Sequence, residues 1–321
     1  MKTSLLRSIV AALTATTLAV TGAACGAADA DDPTTLTVGF VVDPSWAQIP
    51  VADKVGYFDK HDVEVKVVNF PSGIEALQAV AAGQLDVATA ADVPSAAVLT
   101  KSPTLRVVGD GARWEGSRIV ARRSAGIDSV ADLAGKSIGT PIGTSAAYFV
   151  ANTLAHQGIA AELVQVAPSA TVTAATQRDV DAVSIFQPYQ AQVVQALGAD
   201  AIELTGGTYR QHSLYLASQH AVTTKSAALS SFFAALDDAG RDLKNLADPA
   251  LAAVAAATQL QPELLRTVLP QFDFTLQLAP DLATKLDELG RWAKTQGKIP
   301  ADTELPPYAT FLDDRFLPSK R

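Results

Sequence analysis

The chain of 321 residues has a single cysteine, Cys25, so no internal disulfide can form and stability must come from a large core. Its four histidines, His61, His156, His212 and His220, show no His-x-x-x-His spacing and have no cysteine beside them, which argues against a metal centre. There is no Gly-x-Ser-x-Gly elbow and no phosphate-binding loop, so no catalytic residue and no cofactor is expected. Lysine and arginine together number 25 against 33 acids, and they form no cluster. The formal net charge of −8 becomes −10 once Lys2 and Arg7 of the N-terminal segment are set aside. That balance argues against a nucleic-acid partner. The apolar stretch at 9–20 is too short, and too rich in alanine and threonine, to span a bilayer, which takes about 20 apolar residues.

The N-terminus does have the form of an export signal. Lys2 and Arg7 supply a basic start, 9–20 the apolar stretch, and Gly22-Ala23-Ala24 the small residues before a cleavage point. Residues 1–24 are therefore expected to be a signal peptide, and Cys25 looks like the lipid-accepting cysteine of a bacterial lipoprotein. Ala28-Asp29-Ala30 is a competing cleavage site that would discard Cys25. Either outcome places the protein outside the cytoplasmic membrane. It is anchored to the outer face through Cys25 if lipidated, and is otherwise periplasmic or secreted. Residues 25–35, small and acidic (GAADADDP at 26–33), read as a tether.

Beyond the tether, short apolar runs alternate with helical patterns. Residues 36–42 (LTVGFVV) read as a buried strand, broken by Asp43-Pro44-Ser45-Trp46. Residues 63–68 alternate like a strand. Ser72 and Glu75 then have capping-box spacing, with Ile74, Leu77 and Ala81 on one helical face and Gly83 as the stop. A strand at 85–89 leads to Asp92-Val93-Pro94, a helix start with a capping acid and an early proline. A second block follows: a strand at 137–140, a helix opened by Gly143-Thr144-Ser145 and stopped by Gly158, and strands near 163–166 and 182–186. Leu85-Asp86-Val87 in the first block is echoed by Val180-Asp181-Ala182 in the second. The last hundred or so residues read as mostly helical, with a stripe of Leu229, Phe232, Phe233, Leu236 and Leu243. This alternation predicts an α/β fold with largely parallel sheets in two similar lobes.

Several local sequences resemble one family. They are Gly56-Tyr57-Phe58, Phe70-Pro71-Ser72-Gly73 with Glu75-Ala76-Leu77, Gly83-Gln84-Leu85-Asp86-Val87, Asp92-Val93-Pro94, Gly126-Ile127 with Asp132-Leu133-Ala134-Gly135-Lys136, Gly143-Thr144-Ser145-Ala146 and Gln187-Pro188-Tyr189. Their order and spacing are similar to those of the nitrate/sulfonate/taurine-type substrate-binding proteins of ABC importers, over about 36–245. The resemblance implies a two-lobed type II periplasmic-binding-protein fold with the C-terminal helical segment packed on the first lobe. It implies lobe 1 at 36–115 and 212–321, and lobe 2 at 116–211. It also implies a monomer that closes on a small anionic ligand and docks on an ABC permease. Two positions depart from the family: Phe186-Gln187 stands where Trp-Glu is frequent, and Ala147 replaces a common histidine. Loss of that acid makes the cleft less negative.

The candidate ligand-binding residues follow from the edge of the sheets. Thr144 and Ser145 open a helix whose unpaired N–H groups and partial positive charge suit an oxyanion; ordinary N-capping is the competing reading. Asp92 starts a helix after a strand and could take an ammonium group or simply cap the helix. Ser45 and Trp46 sit at the same edge, Trp46 as a cleft wall or a core residue. Arg113 could clamp an oxyanion or lie in solvent. Gln187 could donate a hydrogen bond. The expected function is a non-catalytic binding protein for a small oxyanion such as an alkanesulfonate or taurine. Capture of a thiamine pyrimidine precursor, a pyrimidine-synthase-like enzyme and an anchored sensor are the alternatives. The absence of a cysteine-rich motif and the export signal count against the enzyme.

Overall fold

Two runs of alternating strands and helices build two separate sheets, in a computed structural model that describes residues 32–319. The expected signal peptide and Cys25 lie outside the described residues. The first run comprises β1 (Thr35–Val41), α1 (Gln48–Val55), α2 (Tyr57–Lys60), β2 (Glu64–Phe70), α3 (Gly73–Ala81), β3 (Val87–Ala91), α4 (Asp92–Leu99) and β4 (Arg106–Trp114). The second comprises β5 (Ile119–Arg122), β6 (Ser137–Thr140), α5 (Ser145–Gln157), β7 (Glu162–Gln165), α6 (Thr171–Gln177), β8 (Ala182–Ser184), α7 (Tyr189–Leu197) and β9 (Ala201–Leu204). The chain returns through β10 (Gln211–Ala217) into α8 (Gln219–Thr224), α9 (Ser226–Lys244), α10 (Asp248–Thr258), α11 (Pro262–Val268), β11 (Phe272–Asp273) and α12 (Leu282–Thr295). The six-stranded sheet has the order β11-β4-β10-β3-β1-β2, and the five-stranded sheet β7-β6-β8-β5-β9.

Both sheets are mixed, with most strands in each pointing one way, and the reversal of β5 and β10 has one cause. β1 to β4 point one way, with β10 and β11 antiparallel to them; β6 to β9 point one way, with β5 antiparallel. β4 leaves the first sheet at the carboxyl edge and passes straight into β5; β9 likewise passes into β10. A strand that enters a sheet from its carboxyl edge must run against its neighbours. The crossings therefore hold the carboxyl edges of the two sheets, with their strand-to-helix loops, opposite one another, the place where ligands bind in α/β proteins.

The echoed aspartates turn out to be the same clamp in each lobe. Asp86 accepts from the Thr37 N–H at 2.8 Å and donates its own N–H to the Thr37 carbonyl at 2.9 Å. Asp181 does the same with Ser137, at 3.0 Å in both directions. Each ties the start of one strand to the start of the parallel strand beside it. In the first lobe Lys225 completes the clamp, its Nζ 2.9 Å from Asp86 and 3.0 Å from the Thr35 carbonyl. In the second, the Ser137 hydroxyl takes that place at 3.1 Å.

The C-terminal helices close the first lobe, because the stripe on α9 is apolar. Leu229, Phe232, Phe233 and Leu236 are fully buried, each such side chain contributing about 1.5–3 kcal/mol. Phe232 stacks on Phe58 at 5.7 Å, and Phe233 meets Tyr215 edge-on at 5.5 Å. α12 packs on α4 and also touches the second lobe, where Trp292 meets Tyr148 of α5 edge-on at 5.2 Å. Among the described residues no helix is long and apolar enough to cross a membrane.

The clamp makes a stability prediction. Lys225→Met leaves the buried Asp86 carboxylate without its ammonium partner and should lower unfolding free energy by about 3 kcal/mol or more in urea titrations. A loss below about 1 kcal/mol would show that Asp86 does not depend on Lys225.

Candidate ligand-binding cleft

Four strand-to-helix turns converge where the carboxyl edges face each other. After β1 the chain turns through a single 3-10 turn, Pro44–Trp46, capped by Asp43, whose carboxylate accepts the Ser45 N–H at 2.7 Å. Proline in the first turn and an acid before it are what such a turn requires. After β2, Ser72 caps α3 and its hydroxyl donates to the Glu75 carboxylate at 3.2 Å, so Glu75 reaches back to the side chain of its capping partner. β3 leads into α4, and β6 into α5 through Gly143, which takes φ +93°. Together these turns and β8–β10 enclose a cavity of about 20 Å³ lined by Asp43, Trp46, Ile74, Thr144, Ser145, Phe186 and Gln211, among others. That is room for about one water molecule.

The polar atoms here are unusual. Trp46 is buried and lines the cavity, yet its Nε1 has no hydrogen-bond partner. Gln211 donates weakly to the Ser45 hydroxyl at 3.4 Å, and its Oε1 has no partner. Asp43 is 2% exposed; its carboxylate accepts the Ser45 N–H and has no ion-pair partner among the described residues. Burial pushes its carboxyl up to about 7, against the weaker lowering by Ser45.

Asp92 has a different role. It is the first helical residue of α4; Ala91 is the cap. Its carboxylate accepts from the Val93 N–H at 2.8 Å, the His212 N–H at 3.1 Å and the Tyr209 hydroxyl. Burial raises its pKa, opposed chiefly by the nearby His212. Tyr209, a residue that the sequence did not single out, thus reaches Asp92 from the segment before β10. Tyr209 also packs edge-on against Tyr148 at 4.9 Å.

The other candidates divide. Thr144 precedes α5, but its hydroxyl donates to the Pro141 carbonyl at 2.7 Å instead of capping the helix. Ser45 is buried behind the cavity, against Asp43 and Gln211. Arg113 stands apart: it is buried in β4, 3.4 Å from Asp110 and 2.9 Å from Asp273, and holds β11 on the sheet edge. Gln187 accepts from the Ala191 N–H at 3.2 Å in the first turn of α7 and lines a separate cavity with Gln190 and Gln271. The residues missed by the sequence reading are Asp43, Gln211 and Tyr209; Asp43 lay in the same strand break that drew attention to Ser45 and Trp46.

A larger pocket of about 540 Å³ lies beside the crossings, lined by Arg118, Arg210, Lys285, Glu115 and Glu288 and also by Asp92 and Tyr209. Its cations are already engaged: Lys285 with Glu288 at 3.0 Å, Arg210 with Glu115 at 3.4 Å, and Arg118 with the Ser117 carbonyl at 2.7 Å. Of the buried polar atoms without hydrogen-bond partners among the described residues, Trp46 Nε1 and Gln211 Oε1 belong to residues that line the small cavity.

Comparison with known proteins agrees with this architecture. A profile of the NMT1/THI5-like family matches residues 43–250, more than half of the chain. A Brucella abortus protein provisionally named a binding protein is 32% identical over 155 residues, 47% of each chain, and Brucella suis has a counterpart with the same figures. The match thus spans about half the length of these curated relatives. Among solved structures, the alkanesulfonate-binding protein SsuA of Xanthomonas axonopodis pv. citri, bound to MOPS, superposes with a TM-score of 0.75 at 20% identity, covering 88% of this chain and 99% of that one. The periplasmic aliphatic sulphonate binding protein SsuA of Escherichia coli gives 0.76 at 19% identity, covering 90% and 96%. The desulfurization enzyme DszB, in complex with biphenyl-2-sulfinic acid, gives 0.68 at 17%, covering 88% and 97%. At these identities the likeness establishes the fold, which binding proteins and an enzyme share. The chain belongs to the NMT1/THI5-like family.

The Asp43 environment makes a pH prediction. The folded protein retains a proton on Asp43 that the unfolded chain loses, so this group's destabilising effect grows from about pH 4 to about pH 7 and is full above that. Asp43→Asn should therefore gain thermal stability relative to wild type between pH 4.5 and pH 8, by a few kcal/mol at most. Parallel Tm-against-pH curves for the two proteins would contradict it.

Proposed function

We propose that this member of the NMT1/THI5-like family is an extracytoplasmic substrate-binding protein of an ABC importer that captures a small oxyanion between its lobes, without catalysis, and delivers it to a membrane permease. The lobes correspond to 36–115 with 212–321 and to 116–211, and anchorage through Cys25 belongs to the same proposal. The observation that carries the reading is the buried, unpartnered Trp46 Nε1 in a cavity that also receives the N-terminal end of α5 at Thr144 and Ser145. An indole N–H and helix-end N–H groups are donors without a counter-charge of their own, suited to a sulfonate or a similar anion. A ligand touching both walls stabilises the closed state by the contacts it makes only there.

A second reading has one observation in its favour. Trp46, Phe186 and Asp43 line the same cavity, and an aromatic wall with a carboxylate also suits an amino-substituted heterocycle such as a thiamine pyrimidine precursor.

A thermal-shift panel separates the two. Alkanesulfonates, taurine, nitrate, sulfate and an aminopyrimidine would each be tested on the purified protein. A ligand at a hundred times its Kd adds about 2.7 kcal/mol. Stabilisation by sulfonates is expected; stabilisation by the pyrimidine alone would overturn the oxyanion assignment. Ser145→Ala should weaken sulfonate binding about tenfold, or 1.4 kcal/mol, and an unchanged Kd would remove the α5 end from the site.

A further inference from the structure

Resting on that reading, we propose that Asp43 sets the specificity of the cleft: it receives a protonated amine, so the ligand is a small zwitterion and not a bare oxyanion. The cavity has two chemically different ends. The α5 side and Trp46 Nε1 offer donors. The β1 side offers acceptors: the Asp43 carboxylate and, joined to it through Ser45, the unpartnered Gln211 Oε1. No lysine or arginine lines the cavity, and Asp43 has no ion-pair partner among the described residues. Arg113, the cation nearest in sequence to the lobe crossing, is committed to Asp110 and Asp273.

Once Asp43 is ionised, a bare oxyanion would meet a like charge at short range, with no lysine or arginine lining the cavity to offset it. A ligand that brings its own ammonium group neutralises Asp43, gives Gln211 Oε1 a donor, and leaves its acid end for Trp46 and α5. Val41, Ile74, Ala91, Pro94 and Phe186 make up the rest of the wall, so further polar substituents would be buried without partners. A site built to pair a substrate N–H discriminates strongly against the analogue lacking it, because its own acceptor is then left unpaired. Asp92 is not this group, since Val93, Tyr209 and His212 already occupy its oxygens.

The test uses the full chain and calorimetric titration with taurine and with 1-propanesulfonate, in which a methyl group replaces the ammonium. Wild type should favour taurine at least tenfold. In Asp43→Asn, which keeps an oxygen to accept the Ser45 N–H, that preference should vanish through loss of taurine affinity alone. Trp46→Phe, which removes the donor at the other end, should weaken both ligands by the same factor. An equal taurine-to-propanesulfonate ratio in wild type and Asp43→Asn would overturn the role of Asp43 while leaving the oxyanion cleft intact. Propanesulfonate binding more tightly than taurine to wild type would do the same. If neither sulfonate binds but an aminopyrimidine does, the zwitterion assignment and the oxyanion reading fall together.

Discussion

A strand that leaves one sheet at its carboxyl edge and enters the next has to arrive at the carboxyl edge of that sheet, running backward. This constraint on β4–β5 and β9–β10 organises the rest of the molecule. It makes the strand-to-helix loops of the two lobes face one another across a narrow gap. It also places the segment before β10 in that gap, where Tyr209 can hydrogen-bond to Asp92 on one side and pack against Tyr148 of α5 on the other. The contacts that hold the lobes together and the groups available to a ligand come from the same few turns.

The electrostatics of the gap are set by what is missing from its walls. Two buried carboxylates elsewhere in the first lobe have cations: Asp86 has Lys225, and Asp110 has Arg113 and His212. Asp43 accepts the Ser45 N–H and has no ion-pair partner among the described residues, and burial raises its proton affinity. Keeping an ionisable group dry without a counter-charge is costly, and a buried donor, Trp46 Nε1, goes unpaired on a residue that lines the same cavity. Both are accounted for if a ligand supplies the partners when the lobes close on it.

What could be read in the chain before folding was whatever depends on near neighbours. The stop of α5 at Gly158, which adopts φ +63°, and the apolar stripe of α9 are local patterns with local causes; the paired Asp86 and Asp181 motifs were visible as a repeat, while their partners Thr37 and Ser137 lie 49 and 44 residues away. The candidate site was legible only in part. Trp46, after a strand, and Ser145, at a helix start, are sequence candidates that line the small cavity. Tyr209 was not, because its partner Asp92 lies 117 residues away and no periodicity links them. Arg113 was misjudged for a related reason: an arginine between apolar residues suggests solvent or a ligand, and the distant Asp273 that pairs with it becomes its neighbour only when β11 joins β4.

The central claim is that the small cavity between the facing turns, and not the larger pocket beside the crossings, takes the ligand. A crystal structure grown with a bound sulfonate tests this most directly. The account predicts ligand density between Trp46 and Asp43 on one wall and Ser145 on the other, with the cavity enlarged and Trp46 Nε1 donating to it. Density instead against Arg118 and Lys285, with Trp46 Nε1 still unpartnered, would contradict it.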